Sequence, residues 1–304
     1  IPVRAVTRER PAPRPSTHAG LHPMSRRSNP PDFLIIGAQK CGTTWLHRHL
    51  SRHRELWLPP EKELAFFSYE RHLRDPGLTA YRSAFDPAGE RLAGEATASY
   101  FWTHSNSSWC MQPEGFQRDI PGVVRACLGQ ELRLLVLLRD PVERALSAWA
   151  HYVMHGELDA TLPFEQAARY GGVVDMGFYG RHFAAWRKEF DAGQFLVLGL
   201  EQDVIARPEA TLKRVLAFLG RSPETPPASA ADIAAPAFPG VRRERTADGS
   251  VIIPLPDGVR LQATAAELQR LAERFRPDLE RLRTLLPQSK FCEAWLEERL
   301  PRRG

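Results

Sequence analysis

Cysteine is sparse in this chain: Cys41, Cys110, Cys127 and Cys292 are the only four in 304 residues. Such scattered thiols make no disulfide framework, and no C-x-x-C pair or Cys/His cluster has zinc-site spacing. This usage suits a reducing, cytoplasmic compartment, with a Cys110–Cys127 bridge as the alternative. Long apolar runs are also missing. None approaches the roughly 20 residues that a membrane-crossing helix needs, so no span is expected. The first residues carry charge but no apolar stretch, which argues against a secretory signal. Aromatic residues are absent from 1–31, a segment with six arginines, one glutamate and seven of the 26 prolines. Without aromatic and branched side chains to offset ordering entropy, this basic, proline-rich tail is expected to be disordered. Met24 within it is a candidate start.

Because the tail carries +5 and the whole chain carries +5, residues 32–304 sum to zero. A neutral body lacks the basic balance of a nucleic-acid-binding domain, so no nucleic-acid partner is expected. The chain's 43% apolar composition suits a packed core, and one domain over 32–304 is the expectation.

What is present begins with Phe33-Leu34-Ile35-Ile36, an apolar run ending at Gly37 that reads as a buried parallel strand. A glycine-containing turn leads into a helical pattern from Thr43 to His53. A second buried strand, Leu132 to Leu138, ends at Arg139-Asp140-Pro141, and Pro141 suits the first position of a helix. A third, Phe195 to Leu198, lies between helical stretches at Tyr179–Phe190 and Glu209–Leu219. The alternation predicts βαβ units and one α/β domain, a P-loop-like parallel sheet flanked by helices. Residues 221–258 read as loop and 264–286 as helix.

The strongest chemical signal is Gly37-Ala38-Gln39-Lys40-Cys41-Gly42-Thr43-Thr44-Trp45. A strand running through a glycine-bounded turn into a helix aims backbone N–H groups and the helix's positive end at an anion, usually a phosphate. Gly37 and Gly42 have the spacing of nucleotide-triphosphatase glycines, but Thr43 stands where that pattern needs lysine. The one lysine, Lys40, lies inside the loop, so the usual Mg²⁺-hydroxyl arrangement is not met. A P-loop kinase or NTPase is the alternative reading.

The run Ile35 to Thr44 closely resembles the 5′-phosphosulfate loop of sulfotransferases that use 3′-phosphoadenosine 5′-phosphosulfate (PAPS). Leu138-Arg139-Asp140-Pro141-Val142-Glu143-Arg144-Ala145-Leu146-Ser147 resembles that family's 3′-phosphate motif, with Arg139 and Ser147 as matching ligands. Pro60-Glu61-Lys62-Glu63-Leu64-Ala65-Phe66-Phe67 is similar to the Lys-Glu-x-x-Phe-Phe segment of the heparan-sulfate and carbohydrate branch, nearest its 3-O-sulfating members. The resemblance implies sulfuryl transfer from PAPS to a hydroxyl of a carbohydrate, glycolipid or secondary metabolite, leaving adenosine 3′,5′-bisphosphate. It implies Glu63 as general base, with Lys40 and Lys62 as catalytic cations. Nucleotide contacts fall on Gly37, Gln39, Lys40, Cys41, Gly42, Thr43, Thr44, Trp45, Arg139 and Ser147. Gly177-Phe178-Tyr179 resembles the family's Gly-x-Tyr helix start, which adds Tyr179, and Arg243 lies where the family has a basic loop over the nucleotide. No metal is required by these parts. Trp45 either stacks near the nucleotide or packs the first helix. Ala65 and Ala96 stand where the 3-O-sulfating members usually have His and Lys, which points away from a polyanionic acceptor. His104, His151 and His155 match no motif and read as surface or core histidines.

Overall fold

The computed structural model describes residues 31–73, 77–103, 114–117, 119–222 and 242–299. Five parallel strands form the central sheet in the order β2-β3-β1-β4-β5: β1 is Phe33–Gly37, β2 Leu56–Trp57, β3 Leu92–Ala96, β4 Arg133–Leu138 and β5 Phe195–Gly199. β1 and β4 are buried along their whole length, as interior strands covered on both faces must be. Each buried leucine of β4 contributes about 1.5–3 kcal/mol by leaving water. The helices are α1 Thr43–Leu50, α2 Gly77–Ser83, α3 Ile120–Leu128, α4 Pro141–Met154, α5 Phe164–Ala167, α6 Tyr179–Glu189, α7 Pro208–Phe218, α8 Ala265–Leu285 and α9 Lys290–Arg299.

The sheet order places the site. The chain leaves β1 for β2 and β3 on one side, then returns to β4 and β5 on the other. The carboxyl end of β1 is therefore a topological switch point, where the loops diverge and leave a crevice for a ligand. Gly37, Thr97, Arg139 and Leu200 all emerge at this end of the sheet.

Local chemistry fixes the two helices that open there. Pro141 occupies the first turn of α4, and Asp140 Oδ1 accepts the Glu143 N–H at 2.9 Å as the N-cap. α1 starts after Gly42, whose φ of 96° lies in the left-handed region that glycine tolerates. A Cβ there would come within 2.9 Å of Leu200 Cδ1.

α8 packs along α6 and braces the start of that helix. Asp278 follows Pro277 inside α8, and its carboxylate accepts two N–H groups of the first turn of α6, Gly180 at 2.6 Å and Arg181 at 2.8 Å. These donors have no intrahelical acceptor, so an interior carboxylate of one helix caps another.

Residues 242–263 correct the expectation of a continuous loop over 221–258. β6 Glu244–Arg245, β7 Val251–Pro254 and β8 Arg260–Ala263 form a separate antiparallel sheet in the order β6-β7-β8. Val251, Ile253, Leu261 and Ala263 are its buried side, an alternation that needs only four-residue strands. The tail, His104 and Cys110 lie outside the described residues. Cys41, Cys127 and Cys292 are free thiols, so Cys127 takes no part in a bridge. Among the described residues, no helix is long and apolar enough to cross a membrane.

Candidate active site

The loop from Gly37 to Gly42 is held against the sheet. The Ala38 N–H donates to the Leu137 carbonyl at 2.7 Å, and Lys40 itself has a positive φ of 67°. Thr43 and Trp45 are buried, while Thr44 is half-buried. The Trp45 ring packs edge-on to His49, with centroids 4.9 Å apart, in the core.

Cys41 is fully buried and burial pushes its thiol up to about 11, so it is protonated at neutral pH and no nucleophile. Its Sγ lies 3.7 Å from the Tyr179 hydroxyl, which donates to the Arg139 carbonyl at 2.9 Å. Three of the expected nucleotide residues are thereby tied together across β1, β4 and α6. Gln39 Nε2 donates to the Tyr152 hydroxyl at 3.3 Å, and Tyr152 donates onward to the Gly171 carbonyl at 2.6 Å.

Cations crowd this end of the sheet. Burial, then the charge of Arg139, hold the Lys40 ammonium below its ordinary value, and Lys62 and Arg144 act in the same direction. The Arg139 guanidinium lies 3.6 Å from Glu201 and 3.9 Å from Glu143. Arg243 reaches from the β6 end to the same Glu143 at 2.8 Å, and Arg245 joins it at 2.7 Å. Burial first and Arg139 second pull Arg243 down to about 10, which leaves it charged at neutral pH. One carboxylate at the first turn of α4 thus gathers three arginines, one from the end of β4 and two from the β6 end. Ser147 is buried about one turn further along α4.

Lys62 and Glu63 form an ion pair with each other. The Glu63 N–H donates to the Ala96 carbonyl at 2.9 Å, and Glu63 Oε2 accepts the Ala98 N–H at 2.8 Å. Ala98 in turn abuts the phosphate-type loop: a Cβ on Gly37 would sit 2.7 Å from its carbonyl oxygen. Glu63 is thereby anchored, through Ala98, beside the residue that opens the loop, and Lys40 lies three residues further along that loop. His151, on the same face of α4 as Ser147, is held at about 4 by burial, then by Lys40, and is neutral.

Sequence reasoning missed several participants. Glu143 and Glu201 hold the site's arginines. Arg144 is fully buried and donates to the carbonyls of Gly172 (3.0 Å) and Val173. The spacing of Glu143 and Ser147 at i and i+4 was a usable signal for Glu143, since both positions fall on one face of α4.

The sulfotransferase domain family matches residues 30–234. Among curated proteins, the chain is 28% identical to mouse (Mus musculus) heparan sulfate glucosamine 3-O-sulfotransferase 3A1 over 62% of this chain and 46% of that protein. It is also 28% identical to human (Homo sapiens) carbohydrate sulfotransferase 15 over 64% of this chain and 44% of that one. The chain thus spans less than half the length of these relatives. A sulfotransferase crystal structure from Alicyclobacillus acidocaldarius superimposes with a TM-score of 0.61 at 25% identity, covering 88% of this chain and 98% of that one. The match over residues 30–234, on a parallel sheet whose switch point carries both sequence motifs, shows that this chain belongs to the sulfotransferase family, enzymes that transfer sulfuryl groups.

Proposed function

We propose that the chain transfers a sulfuryl group from PAPS to a hydroxyl of a carbohydrate, glycolipid or secondary-metabolite acceptor. The observation that carries this reading is the anchoring of Glu63, through Ala98, beside Gly37, the residue that opens the loop bearing Lys40 and leading into α1. A cationic lysine and a carboxylate at one anion cradle match a displacement at sulfur: one end must accept a proton, the other must meet growing negative charge.

The residues fit the donor nucleotide. The first-turn amides of α1 and the Thr43 and Thr44 hydroxyls would hold its 5′-phosphate. Arg139 and Ser147 would hold its 3′-phosphate, with Arg243 closing over it from the β6 sheet. Arg139 supplies a planar donor fork, and its ion pairs at 3.6 and 3.9 Å are loose enough to exchange for a phosphate.

In the reaction, Glu63 takes the proton from the acceptor hydroxyl as the acceptor oxygen–sulfur bond forms. The bond from sulfur to the bridging phosphate oxygen breaks, and Lys40 meets the charge left on that oxygen. Lys62 first pairs with Glu63 and then orients the sulfuryl oxygens. Because Lys40 meets more charge in the transition state than in the ground state, its effect falls on kcat. Two curated relatives are named for heparan sulfate and carbohydrate substrates. Ala65 and Ala96 here lack basic side chains, which favours a neutral acceptor.

The test is an acceptor screen with PAPS on a chitin oligosaccharide, desulfated heparan, a galactolipid and umbelliferone, read by mass spectrometry. Mass gain of one sulfuryl group, dependent on Lys40 and Glu63, is the expected result. Magnesium-dependent ATP turnover with no affinity for adenosine 3′,5′-bisphosphate would replace this reading with the P-loop kinase alternative.

A further inference from the structure

The segment that carries Glu63 is held in an unusual backbone path. Glu63 and Ala65 both have positive φ, 64° and 53°. Non-glycine residues in this region cost about 1–3 kcal/mol each and persist only where surrounding contacts over-determine them. The contacts come from residues 95–100. Beside the two bonds of Glu63 to Ala96 and Ala98, the Ala65 N–H donates to Thr97 Oγ1 at 3.1 Å and the Phe67 N–H to the Tyr100 hydroxyl at 3.4 Å.

Both hydroxyls can accept these amides only if their own hydrogens point elsewhere, and Glu95 decides where. The Glu95 side chain is buried in β3. Its Oε1 accepts the hydroxyls of Tyr81 at 2.8 Å and Tyr100 at 2.7 Å, and its Oε2 accepts the Thr97 hydroxyl at 3.1 Å. In its ionised form, which prevails above about pH 7, the carboxylate has no hydrogen to give, so all three hydroxyls must donate to it. Their lone pairs then face outward, and Thr97 and Tyr100 turn theirs to the amides of Ala65 and Phe67. Tyr81 brings α2 into the same cluster.

We propose that Glu95 is the positioning residue of the candidate base: by orienting the Thr97 and Tyr100 hydroxyls it locks residues 63–67 in the path that keeps the Glu63 carboxylate on Ala98, beside Gly37. This rests on the reading of Glu63 as base. Glu95 is sealed from the crevice and acts only through the segment it holds. A neutral amide at 95 reverses the logic, because its NH₂ donates. At least one hydroxyl must then turn round, and an amide of residue 65 or 67 loses its acceptor.

Three variants of the full chain test this: Glu95→Gln, Thr97→Val and Thr97→Ser. Hydrogen exchange over residues 60–70 and the affinity for adenosine 3′,5′-bisphosphate need no acceptor. Turnover is read as PAPS consumption with the four acceptors of the screen. Exchange should rise about tenfold at residue 65 in Thr97→Val and at residue 65 or 67 in Glu95→Gln, the equivalent of one lost hydrogen bond. Nucleotide affinity should stay within about twofold, and kcat should fall about tenfold or more without a change in KM for PAPS, the mark of a displaced base. Thr97→Ser keeps the hydroxyl and should restore both exchange and kcat. If Glu95→Gln does not fold, the contrast between Thr97→Val and Thr97→Ser decides. Wild-type exchange and turnover in Glu95→Gln, or in Thr97→Val, would overturn the proposal. Such a result beside an inactive Glu63→Gln removes only the role of Glu95, whereas an active Glu63→Gln removes the base assignment itself.

Discussion

Tyr179, the first residue of α6, donates its hydroxyl hydrogen to the carbonyl of Arg139 at the end of β4, 2.9 Å away. The bond sets where the Arg139 backbone turns and hence where its guanidinium points. Tyr179→Phe keeps the ring packing and removes that bond, a net loss of about 0.5–1.5 kcal/mol. Calorimetry should show a melting temperature lowered by a few degrees and an affinity for adenosine 3′,5′-bisphosphate weakened several-fold.

Arg139 should matter more than its charge alone. Arg139→Lys preserves the cation but not the fork that can hold two phosphate oxygens at once. Titration with adenosine 3′,5′-bisphosphate should show at least a tenfold loss for Arg139→Lys, corresponding to about 1.5–3 kcal/mol for a charge-assisted contact. Glu143 keeps Arg243 and Arg245 as partners in that variant, so stability should change little.

Gly37 links the fold to the candidate base. Its φ of 149° and the closeness of Ala98 leave no room for a side chain. Gly37→Ala should cost about 1–3 kcal/mol by overpacking. Because the Ala98 carbonyl must give way, the Ala98 N–H that holds Glu63 moves with it. Turnover should therefore drop by more than the loss of folded protein, measured by circular dichroism on the same samples.

Two buried groups set the pH range of stability from opposite sides. Burial pushes Glu95 up to about 7 from 4.5; the hydroxyls of Tyr100, Tyr81 and Thr97 oppose that shift and Glu63 adds to it. The folded chain therefore holds this proton more tightly than the unfolded one. Its contribution is complete below about 4.5 and is lost as pH rises through about 7, roughly 3 kcal/mol in all. His182 runs the other way. It is fully buried, accepts the Thr103 N–H on Nδ1 and lies 2.9 Å from the Asp175 carbonyl through Nε2, an arrangement that suits the neutral ring. Burial, then Arg181, hold it well below 6.5. Its contribution is present above about 6.5 and falls away as pH drops below that value. Urea titrations from pH 4 to pH 9 should show a stability maximum between the two limits. Glu95→Gln should flatten the alkaline side and His182→Asn the acid side.

The parts of the site that were legible in the sequence are those where a buried strand runs straight into a ligand-facing turn. β1 into Lys40 and β4 into Arg139 are continuous apolar runs closed by glycine or proline, and that punctuation marks both the element and its end. Glu63 was legible only through the likeness of its segment to a known family, since nothing in Lys62-Glu63 distinguishes it from a solvated pair. β3 escaped because Leu92-Ala93-Gly94-Glu95-Ala96 has neither alternation nor branched residues. Its partner strands and the Tyr81 and Tyr100 hydroxyls make it a strand and make Glu95 tolerable there. Arg144 and Asp278 escaped for a related reason: a charged residue in a helical pattern reads as a solvent face, and only packing shows carbonyls or a helix end waiting for it. β7 and β8 are four residues each, too short for their alternation to stand out beside a proline- and alanine-rich stretch.

The central claim is that Lys40 and Glu63 serve one sulfuryl transfer at the loop that Gly37 opens. Its most direct measurement is the rate of sulfuryl transfer from PAPS to the acceptors of the screen by the wild type, Lys40→Ala and Glu63→Gln. Each variant should lose about 10²-fold or more in kcat, the scale of a missing charge stabiliser or general base. Adenosine 3′,5′-bisphosphate should still bind Glu63→Gln as it binds the wild type. Wild-type turnover in Glu63→Gln, or no transfer to any acceptor by a wild-type chain that binds the nucleotide, would contradict the account.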